Sequence, residues 1–186
     1  MADNNYSPGQ LAASIQQFHQ KKSLPPVHDW NPDFCGDIDM RILRDGSWHY
    51  MGTPIGRQQM VRLFSTILRH DPDNHYYLVT PVEKVRITVD DAPFVAVEVR
   101  RQNQELLFIT NVGDELVLGE DHPLRVEVDA ETGEPAPYIH VRDRLEALVH
   151  RNVFYQLVEW GEEQLSDSGK KLCIKSGDSY FKLGDL

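Results

Sequence analysis

Two arginines stand where a positive charge is electrostatically out of place. Arg57 opens the run Arg57-Gln58-Gln59-Met60 and Arg142 opens Arg142-Asp143-Arg144-Leu145. Both are expected to begin helices, where the macrodipole is already positive. An anion relieves that misfit, because the open backbone N–H groups of a helix start together with a guanidinium fork can hold a phosphate or a carboxylate. Two such sites in a duplicated chain would face one shared cleft. The structural alternative is that each arginine turns to a nearby carboxylate such as Asp37 or Asp39, in a surface pair of small energetic worth.

Other residues offer weaker chemistry, each with a plain packing explanation beside it. Lys84 and Arg86 alternate on one strand, where Glu98 and Arg100 from a neighbouring strand would pair with them across the sheet. Trp48 and Tyr50 offer a surface on which a base could stack, or they are aromatic residues of the core. Asp37 and Asp39 are spaced to seat a divalent cation or an acid/base pair, but no His or Glu follows at a ligand-like interval. The eight histidines form neither a His-Glu-x-x-His nor a His-x-His pattern. Phosphate-cradling glycine loops, nucleophile elbows and dinucleotide fingerprints are absent, which argues against an ATPase, an α/β-hydrolase or a dehydrogenase. No cofactor is called for, and the balance leans against an enzyme while leaving an unfamiliar hydrolase open.

The elements that must position these residues follow from periodicity. Ser7-Pro8 caps a short arm with Leu11, Ile15 and Phe18 on one side, and the proline-bearing stretch 21–32 reads as an extended connector. Ile38, Met40 and Ile42 alternate with polar residues, Asp45-Gly46 turns the chain, and Trp48-His49-Tyr50 returns as a partner strand. Met60, Val61, Phe64, Ile67 and Leu68 mark a helix expected to run from Arg57 to near His70. Strands follow at 76–80 and 84–89, then a meander at 95–99, 106–110, 115–118 and 124–128. Laying Arg142 on Arg57 brings Leu145, Leu148 and Val149 onto Met60, Leu63 and Phe64, which suggests an internal duplication and a helix after Arg142. A further helix around Val153, Leu157 and Trp160 and a closing hairpin around Gly177-Asp178 complete the chain. The expected fold is α+β with mostly antiparallel sheets, divided into an arm and connector at 1–30, an N-terminal α+β domain at 31–83 and a C-terminal one at 84–186.

Composition bounds the partners. At 186 residues with 40% hydrophobic content the chain can bury a core. Its 29 acidic against 19 basic side chains give a formal charge of −10, which disfavours long duplex nucleic acid and anionic membrane surfaces while leaving room for a small anion held by local cations. Cys35 and Cys173 fit neither a metal knuckle nor a redox pair and read as reduced thiols. No targeting segment or membrane span is evident, so a cytoplasmic location is expected.

The blocks GDIDMRILRDGSWHYMGTPIGRQQMVRLFSTILR, YYLVTPVEK, DDAPFVAVEV, ITNVGDELVLGEDHPLRV and PYIHVRDRLEALVHRNVFYQLVE, in this order, resemble the bacterial domain of unknown function 1285 family. The resemblance implies a two-part fold with a duplicated motif and a C-terminal half superficially like pleckstrin-homology barrels. It also implies an anionic nucleotide-like or nucleic-acid-derived ligand at the interface of the halves and a role in signal transduction with a partner protein, with no established reaction. Polar residues embedded in those blocks, namely Asp39, Arg41, Trp48, Arg57, Lys84, Asn111, His122, Arg125 and Arg142, are the candidate ligand-binding set. Two other functions remain open: an adaptor that uses the sheet edge at Glu115–Leu118, and a small metal-assisted hydrolase at Asp37 and Asp39.

Overall fold

The computed structural model describes residues 7–17, 23–167 and 169–186, so the expected contribution of Phe18 to the arm lies outside the described residues. The chain divides into two units after Asp91.

In the first unit, helix α1 (Pro8–Gln16) starts with a capping box: Ser7 Oγ accepts from the Gln10 N–H at 3.2 Å, and Gln10 Oε1 accepts from the Ser7 N–H at 3.4 Å. Leu11, Ala12 and Ile15 are its buried residues. The rest of the unit is one sheet of β1 (Phe34–Ile42), β2 (Trp48–Tyr50), β3 (Thr53–Pro54), β4 (Leu68–His70), β5 (Tyr76–Val79) and β6 (Lys84–Val89), with helix α2 (Gln58–Thr66) between β3 and β4. The expected hairpin is present, with Met40 opposite Tyr50 and Ile42 opposite Trp48. Its turn is set by Asp45, whose Oδ1 accepts from the Ser47 N–H at 2.9 Å, and by Gly46 at φ 84°. Met40, Ile42, Trp48, Val61, Phe64, Leu78 and Val85 form the core.

Helix α2 stops four residues short of the expected end. The Ser65 and Thr66 hydroxyls turn back to the carbonyls of Arg62 and Leu63 at 2.7 and 2.6 Å, and the chain passes at once into β4, where Leu68 and Arg69 are buried.

The second unit contains β7 (Phe94–Gln102), β8 (Glu105–Thr110), β9 (Glu115–Val117), β10 (Leu124–Val128), β11 (Pro135–Arg142) and β12 (Leu145–Val149), then α3 (Arg151–Trp160) and a three-stranded sheet of β13 (Glu162–Ser166), β14 (Gly169–Ser176) and β15 (Ser179–Asp185). Its curled sheet is consistent with the pleckstrin-homology likeness.

The two six-stranded sheets share a plan. Their orders are β3-β2-β1-β6-β5-β4 and β10-β11-β12-β7-β8-β9. Each consists of two three-stranded antiparallel meanders, and the last strand of the second meander pairs in parallel with the first strand of the first: β6 with β1, and β12 with β7. This is the duplication at the level of topology, in a mostly antiparallel two-part α+β fold.

Three expectations change. Residues 84–89 are a central strand of the first sheet rather than the start of the second unit, so the division moves to Asp91/Ala92. Arg142 ends a strand and does not begin a helix, because Asp143 turns the chain at φ 50° and Leu145, Ala147 and Val149 alternate inward along β12. Glu98 and Arg100 lie on β7, whose neighbours are β12 and β8, so they do not flank Lys84 and Arg86.

Candidate functional site

The expected residues fall into three groups by what holds them. Trp48 is 2% exposed and meets Phe64 at 6.1 Å between ring centres. It belongs to the core and presents no stacking surface, and its Nε1 donor has no partner among the described residues. Asn111 clamps the start of β7: its Oδ1 accepts from the Val95 N–H at 3.0 Å, while its own N–H donates to the Val95 carbonyl at 2.8 Å.

Most of the cations already have carboxylates. Arg41 pairs with Asp90 at 2.6 Å and Lys84 with Asp71 at 2.7 Å, the Lys84 ammonium lying 4.1 Å from the centre of the Tyr77 ring. Arg125 donates to both oxygens of Glu146 at 2.7 and 2.6 Å and also to Glu127, which holds its guanidinium charged more firmly than usual despite partial burial. Arg142 reaches Asp114 at 3.3 Å and lies over the Phe94 ring. Arg86, outside the expected set, forms a fork with Asp37 and holds that carboxyl below its usual range.

Arg57 stands apart. It is the N-cap of α2, exposed, without a side-chain capping bond, and it makes no ion pair among the described residues. Asp39 is likewise exposed with an unengaged carboxylate. The expectation of two guanidiniums at two helix starts therefore reduces to one.

His122 and His140 form a second polar cluster. The His122 Nδ1 lies 3.0 Å from the His140 carbonyl. The two nitrogens of His140 lie 2.9 and 2.8 Å from the carbonyls of Asp121 and Asp143. Carbonyl oxygens only accept, so this geometry favours the doubly protonated ring, in which both nitrogens of His140 donate. Burial opposes this charge, but the two carbonyls together with the Glu146 and Asp143 charges outweigh it and raise the pKa above the ordinary histidine value.

The connector is tied down by Arg69, which is 8% exposed. Its guanidinium donates to the Val27 and Trp30 carbonyls at 2.9 and 2.8 Å and to both oxygens of Asp71 at 2.6 and 3.1 Å.

The second unit also contains a cleft of about 390 Å³ that residue-type reasoning did not single out. Its sides carry Arg101, Glu105, Glu162 and Lys175, and its floor includes Leu106 and Ile174. Of the tetrad Arg101-Gln102-Asn103-Gln104, expected as a turn, only Asn103 and Gln104 make the turn, at φ 50° and 69°, while Arg101 and Gln102 are the last residues of β7. The available signal was the pairing of that polar turn with a tryptophan at the end of a helix. Among the described residues no three His, Cys, Asp or Glu side chains gather as a metal site, and with Asp37 engaged by Arg86 nothing completes a centre at Asp37 and Asp39. No helix among the described residues is long and apolar enough to cross a membrane.

Two family models divide the chain where the two sheets divide: the DUF1285 N-terminal domain matches residues 25–92 and the DUF1285 C-terminal domain matches residues 93–183. The chain belongs to the DUF1285 family. The crystal structure of a DUF1285 family protein from Silicibacter pomeroyi DSS-3 is 52% identical and superposes with a TM-score of 0.82 over 95% of each chain. A DUF1285 family protein from Shewanella baltica OS155 is 28% identical, with a TM-score of 0.53 over 66% of this chain and 91% of that one. No curated protein matches the chain. DUF1285 denotes a family of unknown function, so any activity has to be argued from the residues.

Proposed function

We propose that this DUF1285 protein is a non-enzymatic signalling module of the bacterial cytoplasm that binds a small anionic, nucleotide-like ligand, with Arg57 engaging the phosphate. One observation carries the reading. Of the six residues in the expected set that can be cationic, Arg57 alone is exposed and without a described partner, and it stands at the electropositive start of a nine-residue helix. The Gln59 N–H has no described acceptor, and a Cβ built at the adjacent Gly56 meets nothing within 4 Å, so a phosphate can approach the backbone there.

Thermal unfolding against inorganic phosphate and mono-, di- and cyclic nucleotides tests this. A ligand at a hundred times its Kd stabilises by about 2.7 kcal/mol, which is a rise in Tm of roughly ten degrees for a unit of this size. Arg57→Ala removes most of that rise. No shift with any of these compounds, in the native protein and in Arg57→Ala alike, refutes the reading.

A second reading has a specific observation of its own. Strand β9 is the terminal strand of its sheet, with Glu115 and Val117 exposed, and can accept an added strand from a partner protein. A stoichiometric partner lost on Val117→Pro and retained by Arg57→Ala would favour it over anion binding.

A further inference from the structure

The cleft of the second unit gathers opposite charges that do not pair with one another. Four charged side chains line it, Arg101 and Lys175 of one sign and Glu105 and Glu162 of the other, and none of them forms an ion pair among the described residues. Other opposite charges on the same unit do close on each other, as in Arg100–Glu98 at 2.6 Å and Lys170–Glu163 at 3.0 Å. Here the cations rest on aromatic rings instead. The Arg101 guanidinium lies 4.5 Å from the centre of the Trp160 ring, and the Lys175 ammonium lies 5.6 Å from that of Tyr180. A guanidinium stacked by its face keeps its N–H fork on the edge, where it meets a carboxylate in bidentate fashion.

The walls are held in place. Gly177 N–H donates to the Gln104 carbonyl at 2.9 Å, tying the turn after β14 to the turn after β7. The buried Ser176 hydroxyl accepts from the Leu106 N–H at 3.0 Å and donates to the Leu118 carbonyl at 2.7 Å. Gly177 has φ 55°, and its missing side chain leaves the Glu105 carboxylate beside the turn, with Oε1 4.0 Å from where a Cβ would stand. Below, Leu106 and Ile174 close the cleft at 2% exposure each, and the half-buried Trp160 gives it its apolar side.

We infer that this cleft is a binding site for a zwitterionic amino acid with an apolar side chain. The ligand carboxylate sits on the Arg101 fork with Lys175 beside it, the ammonium is taken by Glu105 and Glu162, and the side chain lies against Trp160. The four lining charges sum to zero, so a dipolar ligand meets complementary charge at both ends, whereas a polyphosphate would face two carboxylates. A volume of about 390 Å³ is within the range of small-molecule sites and holds an amino acid of the size of leucine or phenylalanine. The site is separate from Arg57, which lies in the first unit.

The test is an NMR titration of the full chain, following the Trp160 indole N–H, the Gly177 amide and the Arg101 Nε–H. The probes are L-leucine, L-phenylalanine, N-acetyl-leucine, leucinamide and AMP. The two free amino acids shift all three resonances. Blocking either charged end weakens binding by about tenfold or more, the loss of one charge-assisted contact. Arg101→Gln and Glu162→Gln each abolish the shifts, while Arg57→Ala leaves them intact. Because Arg101 and Glu162 are exposed, both variants keep the fold. The inference is overturned if no amino acid moves these resonances at millimolar concentration, if the blocked compounds bind equally well, or if AMP alone binds there. A failure of Arg57 to hold nucleotides leaves this outcome unaffected.

Discussion

The imidazolium of His140 makes the stability of the second sheet depend on pH in a direction that can be worked out. Its two nitrogens donate to the Asp121 carbonyl in the β9–β10 connection and the Asp143 carbonyl in the β11–β12 turn. The groups around it are Glu146 opposite on β12, Asp121 and Asp143 themselves, and His122 6.3 Å away, with Arg125 from β10 holding Glu146. The fold favours the charged ring, so its contribution is fully present below the unfolded pKa of about 6.5 and is lost as pH rises through the higher folded value. Above that value the neutral ring keeps one donor and forfeits the other bond. A charge-assisted bond contributes about 1.5–3 kcal/mol when sheltered, and partial exposure reduces this to about 1 kcal/mol. The perturbation is His140→Gln, which cannot titrate. The assay is hydrogen exchange at β11 and β12 amides, which reads the second unit by itself, performed about one pH unit below and two above the ordinary histidine value. His140→Gln is expected to cost about 1 kcal/mol more at the lower pH. Equal costs at both, or an imidazole resonance titrating at or below the ordinary value, refute the reasoning.

Four further outcomes follow from buried and half-buried polar groups. Asp71 is pulled toward the neutral form by burial, but Arg69 and Lys84 outweigh that and depress its pKa. Asp71→Asn therefore destabilises the first unit at neutral pH, and its gap from the native protein closes as pH falls below about 4 in urea denaturation. Arg69→Met, which takes the donor from two carbonyls and leaves the Asp71 carboxylate with Lys84 alone, costs about 3–5 kcal/mol in the same experiment. Burial, with the 2.6 Å bond from its hydroxyl to Asp73 and the charge there, pushes the Tyr77 phenol up to about 12. Ultraviolet titration is expected to show one phenol ionising near that pH, and Asp73→Asn brings it down. Ser176→Ala leaves the Leu106 N–H and Leu118 carbonyl short of a partner and costs about 1–3 kcal/mol, measured by denaturant unfolding.

What the sequence makes legible is local chemistry. Asp45-Gly46, the Ser7-Pro8 cap, the apolar stripe of α2 and the hairpin at Gly177 each carry their signal within a few residues, and each is found. The helix expected after Arg142 is a strand because Leu145-Glu146-Ala147-Leu148-Val149 fits a helix spacing through Leu145, Leu148 and Val149 as well as a strand spacing through Leu145, Ala147 and Val149, and pairing with β11 and β7 decides it. The parallel seams leave no local trace, since their partners are separated by about fifty residues or more. The candidate residues were chosen as polar side chains among apolar ones. That rule finds structural ion pairs as readily as ligand contacts, which is why Arg41, Lys84, Arg125 and Arg142 proved to be engaged. The cleft was missed because its walls are brought together by the packing of sheets whose strands are remote in sequence.

The seam has a consequence for how each half of the molecule comes apart. Because the opening strand and the final strand of a six-stranded sheet lie side by side, the backbone between the two meanders can be cut without severing a single inter-strand ladder. In the second unit that point falls in the connection from Leu118 to Pro123. Fragments separated there retain complementary exposed edges on β7 and β12, which gives them a defined register for reassembly. A reporter split across that connection would regain its sheet from two polypeptides.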